Sequence, residues 1–249
     1  MIIQGEKDVE GLKRIGKIVA QCLEHMFSKI EPGMSLKELD DLGRDFLTAH
    51  GARSAPEVTY KFPGATCISI NQEAAHGIPR SHISIKAGDL INIDVSAELD
   101  GYFADTGGSY CLSPINQELK KLCKATKMAR DKAIENCRAG EPMNLIGKTV
   151  EKVARKYGYN IIRNLGSHGV GRKLHEEPGF IPSYFDPGEK RVFKEGMVIT
   201  VEPFLTTGSD WAHDTGDGWT LINPGNHFSA QYEHTIIITK SQPIICTLA

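Results

Sequence analysis

The stretch Leu90-Ile-Asn-Ile-Asp94-Val-Ser-Ala-Glu-Leu-Asp100-Gly101-Tyr-Phe-Ala-Asp105 holds two aspartates that a tight turn could bring together. Asp100–Gly101 is a strong signal for a two-residue hairpin, because both residues tolerate the positive φ such a turn requires. With that turn, Leu99 pairs with Tyr102 and Ser96 stands opposite Asp105. Asp94 is then diagonal to Asp105 on the same face, at a separation of ~7–8 Å that a metal ion can bridge. Ile93, Val95, Ala97 and Leu99 make the other face, which reads as core. Carboxylates beside an apolar face are costly unless something neutralises them, although the pair alone could simply face solvent.

Further residues add to the pair. Glu202 ends the apolar run Val198-Ile-Thr-Val, and Glu233 falls inside a run, Ala230 to Ile238, that otherwise reads as a buried strand. Glutamate is rare in such surroundings without a partner. His168 and His175 lie in what reads as a glycine-bearing loop, Ser167-His-Gly-Val-Gly-Arg-Lys-Leu-His-Glu-Glu-Pro, where either could be structural. His175-Glu176-Glu177 lacks the HExxH spacing, which excludes a zincin helix. Four carboxylates with one imidazole suit a pair of hard or borderline divalent ions such as Mn, Fe or Co. Two such ions would acidify a bridging water and polarise a carbonyl. Four negative charges against two dications, with a bridging hydroxide, leave the site slightly negative and favour a substrate with a free amino group.

The elements that must position these residues are legible in outline. Val9, Leu12, Ile15, Val19, Leu23, Met26 and Ile30 recur at helical spacing over 7–30. Ser35 with Glu38 forms a capping box for a second helix running to His50. From 65 to 111 the period changes to short strands. The same order then returns: a helix over about 115–138, a Pro/Met link at 142–143, another helix closed by Gly158, and strand-like runs to the end. This is a weak internal duplication, with halves about 1–112 and 113–249 sharing one catalytic domain.

Composition bounds the class. Hydrophobic residues make up 40% and charged residues 24%, as in an ordinary globular protein. A net charge of −2 offers no basic footprint for nucleic acid. The six cysteines form no CxxC pair, which argues against a zinc knuckle or disulfide framework and for a reducing compartment. The first ten residues lack a signal-peptide core and no apolar run approaches ~18 residues, so a cytoplasmic protein without membrane contact is expected.

Taken in order, CISIN (67–71), His76-Gly-Ile-Pro, NIDV (92–95), Gly101-Tyr-Phe-Ala-Asp-Thr, SHGVG (167–171), His175-Glu-Glu-Pro, VEP (201–203), DGWT (217–220) and SAQYEHT (229–235) closely resemble the motifs of the type I methionine aminopeptidases. The resemblance runs from residue 3 nearly to the end. It implies the α/β (α+β) "pita-bread" fold, two pseudosymmetric halves around a central antiparallel sheet flanked by helices. It implies that Asp94 chelates one of two divalent ions (Co, Mn or Fe), Asp105 and Glu233 bridge both, and His168 and Glu202 bind the other. Glu202 matches the family's proton shuttle to the metal-bridging hydroxide that attacks the scissile carbonyl. His175 matches the residue that contacts substrate and stabilises the tetrahedral intermediate, and His76 the one near the leaving amide. Phe62, Cys67 and Trp219 match the methionine pocket. Leu174, where some relatives carry an aromatic residue, softens one wall. Ser167 replaces a common glycine. The absence of a zinc-finger extension points to the short bacterial-type form. The implied substrate is a nascent peptide with a free N-terminal methionine and a small second residue, met by a monomer in transient contact with the ribosome. The alternatives are a prolidase or aminopeptidase P of the same fold, which would need proline recognition, and an inactive binding protein, which would have lost metal ligands.

Overall fold

The computed structural model describes all 249 residues. Helix α1 (Glu6–Lys29) buries Leu12, Ile15, Val19 and Met26, the inner side of the stripe read from the sequence. Helix α2 (Leu36–Ala49) starts at the expected capping box: Ser35 accepts from the Glu38 amide while the Glu38 carboxylate accepts from the Ser35 amide. The chain continues through β1 (Arg53–Ser54), the short helix α3 (Ala55–Tyr60), β2 (Cys67–Ile70), β3 (Glu73–Ala75) and the long hairpin β4 (Leu90–Leu99) and β5 (Tyr102–Cys111). Helix α3 was not foreseen. No apolar stripe announces six residues.

The second half begins with α4 (Gln117–Ile134) and α5 (Leu145–Tyr157). Helix α4 stops before the expected residue 138, because Arg138 leaves to bridge Thr239 and the Ala139 amide donates to the Thr239 carbonyl. Ten strands follow: β6 (Asn160–Ile161), β7 (Gly166–Gly169), β8 (Glu176–Pro182), β9 (Val198–Val201), β10 (Phe204–Thr206), β11 (His213–Asp214), β12 (Leu221–Ile222), β13 (Ser229–Gln231), β14 (His234–Ile237) and β15 (Ile244–Ile245).

All strand pairs are antiparallel. One sheet runs β1-β4-β2 with β5 also on β4, and a five-stranded sheet runs β15-β14-β9-β7-β8. Helices α1 and α2 cover the first sheet around Ile15, Ile91 and Ile93, while α4 and α5 pack on a second core with Ile199, Val201 and Ile236. The α-amine of Met1 ties the N-terminus to the β7–β8 edge of the second sheet: it donates to the Val170 carbonyl (3.1 Å) and pairs with Glu176 (3.3 Å). This is the mixed helix-and-sheet architecture expected. No helix is long and apolar enough to cross a membrane.

Candidate metal centre

The β4–β5 hairpin turns at Asp100 (φ 52°) and Gly101 (φ 78°), the double positive-φ turn that matches strand twist. Its register pairs Leu99 with Tyr102, Ser96 with Asp105 and Asp94 with Gly107, so the two aspartates are diagonal neighbours. The second carboxylate pair arises differently. Strands β9 and β10 run antiparallel to β14 and β13, with Val201 opposite His234 and Phe204 opposite Gln231. One register thus continues across an interruption at 202–203 and 232–233, which sets Glu202 opposite Glu233. Pro203 has no N–H and cannot complete the ladder there. The sequence reading put Glu233 inside a strand; it lies in this break.

The two carboxylate pairs are stitched together. The Glu233 amide donates to the Gly107 carbonyl (3.0 Å) and the Thr106 hydroxyl to the Glu233 carbonyl (3.0 Å). Thr235 Oγ1 accepts from the Asp105 amide (2.9 Å) and donates to the Asp105 carbonyl (2.8 Å). His168, expected in a loop, sits on strand β7. Its Nδ1 lies 3.0 Å from the Gly169 carbonyl, which makes Nδ1 the donor and leaves Nε2 as the ligand atom. Nε2 is 3.3 Å from Glu202 Oε1 and 3.9 Å from Asp105 Oδ2.

Asp105, His168, Glu202 and Glu233 are buried and Asp94 is half-buried, and the set is electrostatically unfavourable on its own. Asp105 and Glu233 are 6% and 1% exposed. Burial, then the neighbouring carboxylates, pushes the carboxyls of Asp105, Glu202 and Glu233 well above their usual range. Burial raises Asp94 to about 6. Burial and the nearby His175 depress His168 to about 3, so its imidazole is neutral and able to ligate. Asp105 Oδ1 and Glu233 Oε1 are buried without a hydrogen-bond partner. Ligand atoms of Asp105, His168 and Glu233 lie within 4.8 Å of one another. Oxygen-rich donors with one imidazole, orphaned oxygens and excess negative charge fit divalent metal.

A cavity of about 380 Å³ opens beside the cluster. Asp94, Asp105, His168 and Glu202 form its polar end, with His76 and His175 nearby; Phe62, Cys67, Leu174 and Trp219 line its apolar part. Phe62 meets Trp219 edge-on, centroids 5.2 Å apart. Each wall has its own support. Asp40 accepts from the amides of Ala65 and Thr66, holding the loop after Phe62, and Asp217 accepts from the amides of Trp219 and Thr220. His76 takes a left-handed conformation (φ 54°), and burial lowers its pKa. All eleven sequence-predicted residues thus converge on one site, with Glu233 alone outside the cavity lining.

Several participants carried no sequence signal. Tyr60 lies 2.7 Å from His175 Nδ1, and the His168 and His175 rings approach to 4.0 Å. Thr200 donates to Glu202 Oε1 (2.9 Å). Buried Gln231 donates to Glu233 Oε2 (2.9 Å) and accepts from Asn92 (2.9 Å). Gln231 is two residues from Glu233, and that spacing was its one available hint.

A family model described as metallopeptidase family M24 matches residues 10–240. The chain belongs to that family. As an M24 metallopeptidase it binds divalent metal, in keeping with the cluster above. It is 49% identical to methionine aminopeptidase 2 of Bacillus subtilis over 99% of both chains. The crystal structure of methionine aminopeptidase from Thermotoga maritima matches with a TM-score of 0.95 at 31% identity, covering all of both chains. The prolidase of Pyrococcus furiosus shares the fold, with a TM-score of 0.80 at 22% identity, but this chain covers only 66% of it.

Proposed function

We propose that this chain removes the initiator methionine from peptides whose second residue is small. It is an aminopeptidase, and the observation that carries the reading is the buried cluster opening directly onto the slot of Phe62, Cys67, Leu174 and Trp219. An unbranched thioether suits an aromatic-lined slot, since sulfur makes favourable contacts with ring edges. Full-length similarity to methionine aminopeptidases favours this over the prolidase reading, whose support is the fold alone. A complete ligand set argues against an inactive relative.

In this reading Asp94, Asp105, His168, Glu202 and Glu233 would hold two divalent ions. When bound they supply Lewis acidity and a nucleophilic water; Mn, Fe and Co fit the donors. Glu202, held by the Thr200 hydroxyl on Oε1, is the group that would carry protons to and from the reacting atoms. His175 donates to the developing oxyanion and His76 lies against the leaving amide. The negative cluster orients the substrate's α-ammonium. We place the enzyme in the cytoplasm as a monomer and single catalytic domain, with halves about 1–112 and 113–249, meeting nascent chains by transient ribosome contact. The test is methionine release from Met-Ala-Ser, Met-Lys-Ser and Ala-Pro peptides. Cleavage of the first alone supports the reading, and preference for Ala-Pro overturns it.

A further inference from the structure

We propose that Tyr60 is a positioning residue for His175, its phenol fixing the imidazole in the tautomer that carries the proton on Nε2, the nitrogen left for the substrate. This rests on the activity proposed above. Tyr60 Oη is 2.7 Å from His175 Nδ1, a short contact with two possible proton arrangements. A neutral imidazole holds one proton between its two nitrogens, so the partner on one nitrogen decides what the other carries. Conjugation with the ring makes the phenol oxygen a weak acceptor and its O–H a good donor, whereas a bare imidazole nitrogen accepts strongly. The phenol therefore donates to Nδ1 and the proton sits on Nε2. That is the arrangement a developing oxyanion requires, a donor already in place before charge appears.

The local structure holds the phenol where this demands. Tyr60 is the last residue of α3, which begins with Pro56 in its first turn and Ser54 accepting from the Glu57 amide. Arg44 on α2 grips Glu57 through two hydrogen bonds of 2.9 and 2.7 Å. On its other side the His175 ring packs against His168, which limits its rotation. Tyr60 is itself 43% exposed at the cavity mouth, so its hydroxyl can be removed without opening a core cavity.

The experiment compares metal-loaded wild type and Tyr60→Phe on Met-Ala-Ser. Tyr60→Phe is expected to lose kcat on the order of tenfold, the worth of one oriented hydrogen bond, with KM, bound metal and Tm unchanged. Affinity for the phosphonate analogue of methionine, a tetrahedral anion, should fall by the same factor while methionine itself binds as before. A kcat within about twofold of wild type in Tyr60→Phe overturns the proposal, as does equal weakening of phosphonate and methionine. Inactive wild type would instead remove the activity reading, so the two failures are distinguishable.

Discussion

Gln231 offers a way to perturb the metal centre without touching a ligand. Its side chain is 1% exposed and bridges Asn92 to Glu233: Nε2 donates to Glu233 Oε2 at 2.9 Å and Oε1 accepts from Asn92 at 2.9 Å. Gln231→Leu keeps the volume and removes the donor. Asn92 retains the Ser109 hydroxyl (3.2 Å) and the residue 231 carbonyl (3.4 Å) as acceptors, so the loss falls on Glu233. A hydrogen bond to a charged acceptor is worth about 1.5–3 kcal/mol. At about 1.4 kcal/mol per factor of ten, that is roughly 10–150-fold in metal affinity. Partners that orient metal ligands typically govern about 10–100-fold, so two independent estimates agree. The assay is activity against buffered free Mn²⁺. The curve should shift to higher metal with the plateau nearly preserved. Gly107→Ala should do the same, because its Cβ would come within 2.4 Å of Gln231 Oε1. An unshifted curve in Gln231→Leu would show that Glu233 is oriented by something else.

Three other outcomes follow from the same geometry. Asp105→Asn should lose bound metal, whereas His175→Ala should keep it and lose kcat by about 10²–10³; equal metal loss by elemental analysis would make His175 a ligand. In the metal-free protein the site carboxyls have raised pKa values, about 6 for Asp94. Their stabilising contribution is complete below the ordinary value of ~4 and is lost as pH rises through the folded values, so apo Tm should fall as pH rises from about 4 through about 6 and beyond. Metal binding must expel those protons and tighten with pH; calorimetric titration in buffers of different ionisation enthalpy that detects no proton release at about pH 6 contradicts this. Phe62→Ala removes the edge-on contact to Trp219 and should raise KM for methionyl peptides while costing about 3–5 kcal/mol by denaturant unfolding; unchanged KM would place the methionine side chain elsewhere.

What could be read from the sequence was what local chemistry dictates. The Asp100–Gly101 turn set the register that makes Asp94 and Asp105 diagonal, and the Ser35–Glu38 capping box placed the start of α2. Motif resemblance, not periodicity, brought in His76, Phe62, Cys67 and Trp219. Contacts between distant segments were invisible. Tyr60 meets His175 across 115 residues, and Asn92 meets Gln231 across 139. The strand containing His168 is short and rich in glycine, so its extended pairing with β8 and β9 is imposed by tertiary packing rather than propensity. Glu233 was misplaced because Tyr232 and Thr235–Ile238 on either side of it read as one strand, whereas the ladder breaks opposite Pro203, which has no N–H to give.

The central claim is metal-dependent removal of N-terminal methionine, and one measurement addresses it most directly. Chelator-stripped protein is assayed on Met-Ala-Ser and on its N-acetylated form, before and after Mn²⁺, Fe²⁺ or Co²⁺ is returned. The account predicts no turnover without metal, restored release of methionine with it, and no cleavage of the acetylated peptide, whose blocked amine the negative cluster cannot hold. Full activity in the stripped protein, or rapid hydrolysis of the acetylated peptide, would contradict it.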